Sequence, residues 1–315
     1  MKKRNFAKRA AALSLALLLT VSLLMTGCGS SEDKVKTDDK GFYDYSGYII
    51  RSEYPLDEQS LTKAGQKLRH IYDLYLAGKD VKTYFVIVPD KNAYAAESGQ
   101  DIMDYEALRG TMQEQTEDFA AYIEIADLLR LEDYYKTDAH WRQEAIRPAA
   151  QRIAQAMGCE LTAAYDEVTA NDSFIGAYGR QSDLDMQPEK LIYLNNAMLD
   201  ACGVTDYETG TAMKIYDSAK ASSEDGEGYD MFLGGSKSLI TIENPAAQTE
   251  KELVIFRDSF GSSLAPLFAE CYRKITLVDT RYLASEMVGR FVEFDKQDVL
   301  FLYSTPVLNN SVTLK

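Results

Sequence analysis

Residues 251–282 read KELVIFRDSFGSSLAPLFAECYRKITLVDTRY, and they have the pattern of a buried strand, a sharp turn, a helix and a second strand. Leu253 to Phe256 form a short apolar run of the kind that a parallel sheet buries on both faces. Residues 262–272 place apolar side chains at helical spacing, and residues 275–278 form the next apolar run. This pattern predicts a strand–helix–strand unit with Ser259 at the first junction.

A serine at such a junction has two interpretations. Its hydroxyl lies near the positive end of the helix dipole and near unpaired backbone N–H groups, where a developing oxyanion is stabilised. Alternatively, Asp258 and Ser259 cap the helix that follows, because both residue types are common at helix starts. Taken alone, the residues around Ser259 favour capping.

Similar strands and helices recur on either side of an irregular middle section. Residues 83–88 (TYFVIV) form another buried apolar run, and residues 58–76 have the spacing of an amphipathic helix. After about residue 245 the chain returns to alternating strands and helices, ending with an apolar run at 299–303. This alternation predicts an α/β domain with a mostly parallel sheet. Residues from about 160 to 245, with their Asn, Asp, Gly and Ser clusters, predict a β-rich insertion or cap.

The N-terminus has the composition of an export signal. Five Lys and Arg residues precede an apolar run from Ala10 to Met25, and Gly27 and Cys28 follow shortly after it. The Leu-Met-Thr-Gly-Cys ending resembles the lipobox of bacterial lipoproteins. On that resemblance, residues 1–27 are a signal peptide and Cys28 is the lipidated first residue of the mature protein. A plain secretory signal and an uncleaved anchor are the alternatives.

Residues 28–40 are polar and charged, which predicts a flexible tether between the lipid and a folded domain that spans residues 41–315. The whole chain has a formal net charge of −15, and loss of the five basic signal residues makes the mature chain about −20. Nucleic acid requires clustered Lys and Arg, so nucleic acid is excluded as the main partner.

Three cysteines remain in the mature chain beyond Cys28: Cys159, Cys202 and Cys271. Their spacing is not that of a metal site. They allow one disulfide, whose pairing the sequence leaves open, although two of the three have the pattern of small core residues. No metal and no cofactor are expected, because the histidines and scattered carboxylates make no recognisable ligand set.

The chain has only two histidines. His70 lies on the predicted amphipathic helix without a partner motif, which indicates a structural or exposed position. His140 follows Asp138 by two residues. A serine hydroxyl is a weak nucleophile until a base takes its proton, and a carboxylate usually orients that base. Ser259, His140 and Asp138 together therefore predict a catalytic triad, whereas Asp138 alone has the alternative of capping a helix.

Four sequence elements resemble the DHHW proteins, which are similar to the alginate O-acetyltransferase relatives of the SGNH hydrolases. The elements are KTDAHW (136–141), FLGG (232–235), ITIEN (240–244) and RDSFG (257–261). The resemblance spans about Phe42 to Lys315 and implies an SGNH-hydrolase-like three-layer sandwich. It further implies that Ser259 is the nucleophile, that His140 is the general base and acid, and that Asp138 orients the histidine.

Two positions depart from the family pattern. Ala139 replaces the second residue of the Asp-His-His-Trp signature, which the triad does not need. Arg257 stands where Gly usually precedes Asp-Ser, and it is expected either to crowd the turn or to supply a cation for an anionic substrate. Trp141 is expected either to pack or to stack on a sugar. The candidate oxyanion or substrate contacts are Gly235, Ser236, Asn310, Arg257 and Trp141.

The expected function is that of a surface-anchored, SGNH-like esterase or O-acetyltransferase. It would act on an extracytoplasmic polysaccharide through an acyl-serine, which water resolves in an esterase and a sugar hydroxyl resolves in a transferase. The expected partners are this polysaccharide, an acyl donor, the bacterial cell membrane through the lipid anchor, and cell-envelope proteins. The alternatives are a non-catalytic lipoprotein that binds glycan or assembles the envelope on the same scaffold, and a two-lobed solute-binding lipoprotein.

Overall fold

An eight-stranded sheet forms the centre of the molecule in a computed structural model that describes residues 35–222 and 228–315. The predicted signal peptide (1–27), Cys28 and most of the predicted tether (28–40) lie outside the described residues. The strands are β1 (Phe42–Tyr45), β2 (Tyr48–Arg51), β3 (Lys82–Val88), β4 (Ala121–Tyr122), β5 (Asp166–Phe174), β6 (Glu189–Asn195), β7 (Gly203–Asp206), β8 (Thr211–Met213), β9 (Leu239–Glu243), β10 (Glu252–Arg257), β11 (Lys274–Val278) and β12 (Asp298–Ser304).

The α-helices are α1 (Glu58–Tyr75), α2 (Tyr105–Thr116), α3 (Arg147–Ala156), α4 (Ala177–Gln181), α5 (Ala197–Ala201), α6 (Ser218–Ala221), α7 (Gly261–Leu264) and α8 (Thr305–Asn309). Short 3₁₀ segments occupy Lys91–Tyr94, Ala96–Ser98, Ala126–Leu128, Leu131–Asp133, Gly228–Met231, Ala265–Glu270, Ser285–Arg290 and Ser311–Thr313. Across the part of the chain that the structure describes, every helix is too short or too polar to cross a membrane.

The strand order of the central sheet is β4-β3-β12-β10-β11-β9-β7-β8. The five strands from β4 to β11 in this order are parallel, and β9, β7 and β8 extend the sheet with antiparallel pairs. The side chains of β10 alternate between two cores: Leu253 and Ile255 pack on the α3 side, and Val254 and Phe256 on the α1 side. The predicted α/β fold with a mostly parallel sheet is confirmed.

The topology creates a binding edge at the carboxyl ends of the parallel strands. β12 is the last strand in sequence but lies between β3 and β10. The chain therefore runs from β3 to β4 on one side of β12 and from β10 to β11 on the other. Open α/β sheets bind ligands in the crevice that such a change of direction creates. Ser259 follows directly after β10, so the fold places it at this edge.

The segment after Ser259 is not the continuous α-helix that is expected over residues 262–272. Only α7 is α-helical, and the chain continues as the 3₁₀ segment Ala265–Glu270. Pro266 lies in the first turn of that segment and has no N–H to continue an α-helical ladder. The helix expected soon after His140 begins only at Arg147, with a proline in its first turn.

The middle section of the chain divides into two parts. β5 and β6 form a separate antiparallel hairpin, as expected of an insertion. β7, β8 and β9 instead join the central sheet, and β9 pairs directly with β11. Leu239 to Ile242 are buried, so this strand forms part of the main core rather than of a cap.

A disulfide joins Cys159 to Cys271, which are 112 residues apart in sequence, and Cys202 is free. Cys159 follows α3, which comes after His140 in the chain, and Cys271 ends the 3₁₀ segment after Ser259. The disulfide therefore ties together the two segments that follow the predicted base and nucleophile.

Replacing Cys159 with serine is expected to lower the free energy of unfolding by about 2–4 kcal/mol, because the bridge closes a long loop and restricts the unfolded chain. Urea unfolding under oxidising conditions measures this change. The matched control is Cys202→Ser, which removes a free thiol and should leave the midpoint almost unchanged. Equal midpoints for wild type and Cys159→Ser would contradict a stabilising disulfide.

Candidate active site

Ser259, His140 and Asp138 form a continuous chain of hydrogen bonds. Ser259 Oγ lies 2.7 Å from His140 Nε2, and His140 Nδ1 lies 2.6 Å from Asp138 Oδ1. Ser259 and His140 are 119 residues apart in sequence. The structure thus brings together the three residues that the sequence predicts as a triad.

The turn that carries Ser259 is held by the preceding carboxylate. Asp258 Oδ1 accepts a hydrogen bond of 3.0 Å from the Phe260 N–H, and Oδ2 accepts one of 2.7 Å from the N–H of Ser304 at the end of β12. α7 has no side-chain cap, and the Ser259 hydroxyl is directed to His140. Capping therefore does not account for Ser259.

Aromatic packing fixes the plane of the His140 ring. The ring stacks on Tyr229 with centroids 3.7 Å apart and an interplanar angle of 3°, and Phe260 packs against it at 4.9 Å. Tyr229 is held in turn, because its hydroxyl donates to Ser263 Oγ at 2.8 Å. Sequence reasoning missed Tyr229 and Ser263, since neither belongs to a recognisable motif with His140.

Asp138 is almost completely buried, with 4% of its side chain exposed. Oδ1 accepts hydrogen bonds from the backbone N–H and the ring of His140, and Oδ2 accepts one of 2.8 Å from the Ala177 N–H. Burial alone would raise the pKa of Asp138, but the charge and hydrogen bonds of His140 and the Ala177 N–H outweigh it and lower this pKa to about 2.

The ionised state of Asp138 determines which ring nitrogen of His140 carries a proton. A carboxylate can only accept hydrogen bonds, so Nδ1 of His140 carries the proton that it shares with Asp138. In the neutral imidazole, Nε2 then has a free lone pair and accepts from the Ser259 hydroxyl. The geometry thus fixes the tautomer that a general base requires.

Glu189, the first residue of β6, holds the loop that carries Asp138. Its carboxylate accepts hydrogen bonds from the N–H groups of Lys136 and Thr137 at 3.0 and 2.8 Å, and from the Thr137 hydroxyl at 2.8 Å. Three donors thus converge on one carboxylate. The hairpin β5–β6 is therefore part of the support of the site.

Lys91 binds the opposite side of the same loop. Its ammonium group is buried and donates to the carbonyls of Ile49, Tyr135 and, at 3.4 Å, Lys136. Burial lowers the pKa of Lys91 to about 7, although the nearby carboxylate of Asp138 opposes the shift. The peptide groups before Asp138 are therefore oriented from both sides. Their carbonyls point to the Lys91 ammonium group, and their N–H groups point to the Glu189 carboxylate.

Gly176 leaves room for Asp138. A Cβ at residue 176 would lie 2.3 Å from Asp138 Cβ and 2.5 Å from its Oδ2. Gly176→Ala is therefore expected to displace the carboxylate. With the triad chemistry that the sequence predicts, it should lower the rate of acyl transfer by about 100-fold, because a shift of about 1 Å has that effect on positioned groups. The rate of p-nitrophenol release from p-nitrophenyl acetate measures it.

The matched control for this substitution is Gly110→Ala, which lies in α2 where an added Cβ meets no atom within 4 Å. It should leave the rate unchanged and slightly raise the melting temperature, because alanine favours a helix over glycine. If Gly176→Ala keeps the wild-type rate, Asp138 is not confined in the way that the geometry indicates.

The structure decides between the two expectations for Trp141 and for Arg257, because both side chains are completely buried. Trp141 cannot stack on a sugar; its indole N–H donates to Ser263 Oγ at 2.9 Å beneath the site. Arg257 cannot meet a dissolved anion; its Nη1 lies 3.5 Å from Asp279 Oδ2. Arg257 does crowd the turn, since a Cβ on Gly261 would lie 2.9 Å from Arg257 Cβ.

The other candidate contacts have hydrogen-bond partners outside the triad. The Gly235 N–H donates to the Phe232 carbonyl at 3.3 Å within a turn, and the exposed Ser236 hydroxyl accepts from the Tyr282 hydroxyl at 3.2 Å. The N–H of Asn310 is used at the end of α8, where it donates to a carbonyl. The backbone N–H groups of Gly235 and Asn310 are therefore already used in local hydrogen bonds.

His70 lies away from this site, as the sequence predicts, with its Nε2 3.1 Å from Glu286 on the surface. Within residues 35–222 and 228–315, His, Cys, Asp and Glu side chains form no group of three or more with the geometry to hold a metal ion.

Residues 49–187 match the family model of the SGNH hydrolase-like domain of the acetyltransferase AlgX, a range that includes Asp138 and His140 but ends before Ser259. No curated protein matches the chain. Among solved structures, a DHHW family protein from Eubacterium siraeum DSM 15702 has 19% sequence identity and a TM-score of 0.67, with 89% of this chain and 95% of that chain covered.

PatB1 from Bacillus cereus, in a structure with a sulfonyl adduct, has 20% identity and a TM-score of 0.66, with 88% of this chain and 97% of that chain covered. The O-acetyltransferase domain of Pseudomonas putida AlgJ has 13% identity and a TM-score of 0.50, with 88% and 90% covered. These likenesses show a shared fold. The resemblance to the DHHW and SGNH-hydrolase-like O-acetyltransferase proteins is therefore confirmed, and the chain has the SGNH-like α/β fold.

Proposed function

We propose that this chain is a surface-anchored, SGNH-like esterase or O-acetyltransferase that acts on an extracytoplasmic polysaccharide through an acyl-serine intermediate. The observation that carries the proposal is the hydrogen-bonded chain from Ser259 through His140 to Asp138, with contacts of 2.7 and 2.6 Å. The family model of residues 49–187 and the similarity to the O-acetyltransferase domain of AlgJ support this reaction class.

In the first half-reaction, Ser259 attacks the carbonyl carbon of an acetyl ester. The Oγ proton passes to His140 Nε2 as the new C–O bond forms, and Asp138 stabilises the imidazolium through Nδ1. The tetrahedral intermediate then collapses, the bond to the donor oxygen breaks, and that oxygen takes the proton from Nε2. The acetyl group is left on Ser259.

In the second half-reaction, a hydroxyl group resolves the acyl-serine. Water or a sugar hydroxyl gives its proton to His140 Nε2 and attacks the acetyl carbon, and Ser259 recovers the proton as it leaves. Water as the attacking molecule yields acetate, and a sugar yields an O-acetylated glycan. The same three residues serve both outcomes.

The backbone N–H of Ser259 is the oxyanion donor that fits this mechanism best. The next two N–H groups, those of Phe260 and Gly261, already donate to Asp258 Oδ1 and to the Asp258 carbonyl. Donors aimed at a developing oxyanion are worth several kcal/mol in acyl transfer, about 2.7–4 for a single donor in known cases. A bound transition-state analogue would locate the second donor.

The proposed location outside the cytoplasm rests on the predicted export signal and on Cys28 in its lipobox-like ending. The Cys159–Cys271 disulfide supports it, because structural disulfides persist mainly in oxidising compartments. The lipid on Cys28 would hold the domain at the bacterial cell membrane, where the glycan, an acyl donor and cell-envelope proteins are its proposed partners.

Trapping of the acyl-enzyme tests the proposal. Purified residues 29–315 are mixed with p-nitrophenyl acetate, quenched in acid and digested, and the peptides are analysed by mass spectrometry. One acetyl group is expected on the peptide that contains Ser259. The adduct should be absent from Ser259→Ala and retained in Ser236→Ala, which removes an exposed serine whose hydroxyl has Tyr282 as its partner.

Two results would support the non-catalytic alternative, a lipoprotein that binds glycan or assembles the envelope. One is an unmodified Ser259 in wild type, and the other is equal acetylation of wild type and Ser259→Ala. The two-lobed solute-binding alternative is disfavoured, because Val35–Lys315 forms one compact unit.

A further inference from the structure

We propose that Arg281 and Tyr282 bind the sugar ring of a neutral polysaccharide acceptor beside Ser259, an inference that rests on the proposed function. Both residues follow β11, and β11 is the parallel neighbour of β10. Phe256 lies opposite Val278 in this pairing, so the chain leaves both strands at the same edge of the sheet. Neighbouring strands are about 4.8 Å apart, which places this edge of β11 next to the nucleophile.

A short segment of chain independently connects Tyr282 to the catalytic base. Tyr229 stacks on the His140 ring, and seven residues later Ser236 accepts the hydrogen bond of the Tyr282 hydroxyl at 3.2 Å. Residues 229–236 therefore contact the base at one end and the exposed tyrosine at the other. The pairing of β10 with β11 and this segment are the two structural connections on which the inferred position of Tyr282 beside the site rests.

Arg281 is held rigidly at this rim. Its Nε and Nη2 donate to the two carboxylate oxygens of buried Asp279 at 2.9 and 2.7 Å. Burial would lower the pKa of Arg281, but the hydrogen-bonded Asp279 and the nearby Asp258 raise it above its ordinary value. Nη1 takes no part in this pair. A fixed guanidinium with N–H donors outside its ion pair suits the hydroxyl and amide oxygens of a sugar.

Tyr282 supplies the apolar surface that a sugar ring requires. Its side chain is 47% exposed, and the Arg281 guanidinium lies 5.5 Å from the ring centroid. An aromatic ring offers a large contact area at a small cost in conformational entropy, and it packs against the C–H face of a pyranose. Trp141, the aromatic residue that the sequence offers for this role, is buried beneath the site.

The charges at and beneath the rim indicate a neutral sugar. The guanidinium groups of buried Arg257 and of Arg281 are balanced by the buried carboxylates of Asp258 and Asp279. The whole chain has a net charge of −15, and a protein of that charge repels a polyanion. The acceptor that fits is therefore a polysaccharide of uncharged pyranose units.

Direct binding measurements test the subsite without requiring turnover. Isothermal titration of wild type uses a β-1,4-linked N-acetylglucosamine tetramer as the neutral probe and a mannuronate tetramer as the anionic probe. The Kd of the neutral tetramer should be lower than that of the mannuronate tetramer. Tyr282→Ala should raise its Kd about tenfold or more, as removal of a central tyrosine contact does. Arg281→Met should also weaken binding.

The matched control is Phe291→Ala, because Phe291 is 45% exposed and lies in a cavity lined by Glu252 and Lys274 at the amino ends of the same strands. It should bind the neutral tetramer as wild type does, and circular dichroism checks that each variant folds. An unchanged Kd for Tyr282→Ala, or tighter binding of the mannuronate tetramer, would overturn the proposal. Failure of the proposed function would appear separately, as an unmodified Ser259 in the trapping experiment.

Discussion

Replacing His140 with glutamine is expected to lower the rate of acetyl transfer by about 10⁴-fold or more, the usual effect of losing a triad base. Glutamine keeps a polar side chain but has no group that can take the Ser259 proton at neutral pH. The hydroxyl would then remain protonated and weakly nucleophilic at the position where it now lies 2.7 Å from Nε2. Stopped-flow release of p-nitrophenol measures the acylation step directly.

The chain provides its own control in His70, its other histidine. His70→Gln changes an exposed side chain whose partner is Glu286, so the acylation rate should equal that of wild type. Retention of more than about a tenth of the wild-type rate in His140→Gln would mean that His140 is not the base, and the acyl-serine mechanism would have to be abandoned.

Replacing Asp138 with asparagine is expected to lower the same rate by about 10³ to 10⁴-fold, because the amide stabilises the wrong tautomer of His140. The NH₂ group of the new amide, directed to the ring, would favour the tautomer whose proton is on Nε2. That nitrogen could then no longer accept the hydroxyl proton of Ser259. The loss should appear in kcat more than in KM, since Asp138 is buried and acts through His140.

The same substitution has a pH-dependent effect on stability. The pKa of Asp138 is lowered from an ordinary 3.8 to about 2, so its ionised form stabilises the fold at every pH above about 4. The contribution is about 2 kcal/mol, and it is lost as the pH falls through 2. The difference in unfolding free energy between wild type and Asp138→Asn should therefore narrow by that amount between about pH 4 and pH 2.

Asp298→Asn is the matched control for this pair of measurements. Asp298 is also a buried carboxylate, bonded to the Tyr272 hydroxyl at 2.7 Å, but it begins β12 and so lies at the opposite edge of the sheet from Ser259. Its loss should reduce stability without a large change in kcat. If both substitutions reduce kcat equally, the effect of Asp138→Asn is a general loss of folding and not a loss of the tautomer.

The sequence predicts the nucleophile strand and the triad for different reasons. β10 is recognisable because its apolar run is local and is followed at once by a turn and a helix. The pairing of Ser259 with His140 is accessible because the chain has only two histidines and only one lies two residues after an aspartate. Few candidate bases exist in this chain, so the pairing could be predicted without the tertiary structure.

The supports of the triad could not be predicted in this way. Glu189 and Lys91 lie about 50 residues on either side of the loop that they hold, and no local pattern distinguishes them from other charged residues. Arg257 is different, because strand alternation puts it on the same face as Leu253 and Ile255. That pattern alone indicates a buried guanidinium, so the expectation of a substrate cation overlooked a signal that was present.

The support of Asp138 by the hairpin β5–β6 and its neighbour α4 has a consequence for comparing related chains. A homologue could keep the serine, the histidine and the aspartate in the same order and still lack the Glu189 carboxylate and the Ala177 N–H that hold the aspartate loop. Such a chain would have the three residue types of the triad, but its aspartate would not be held in position to orient the histidine. A carboxylate corresponding to Glu189 and a glycine corresponding to Gly176 are therefore the additional marks by which active relatives can be distinguished from inactive ones.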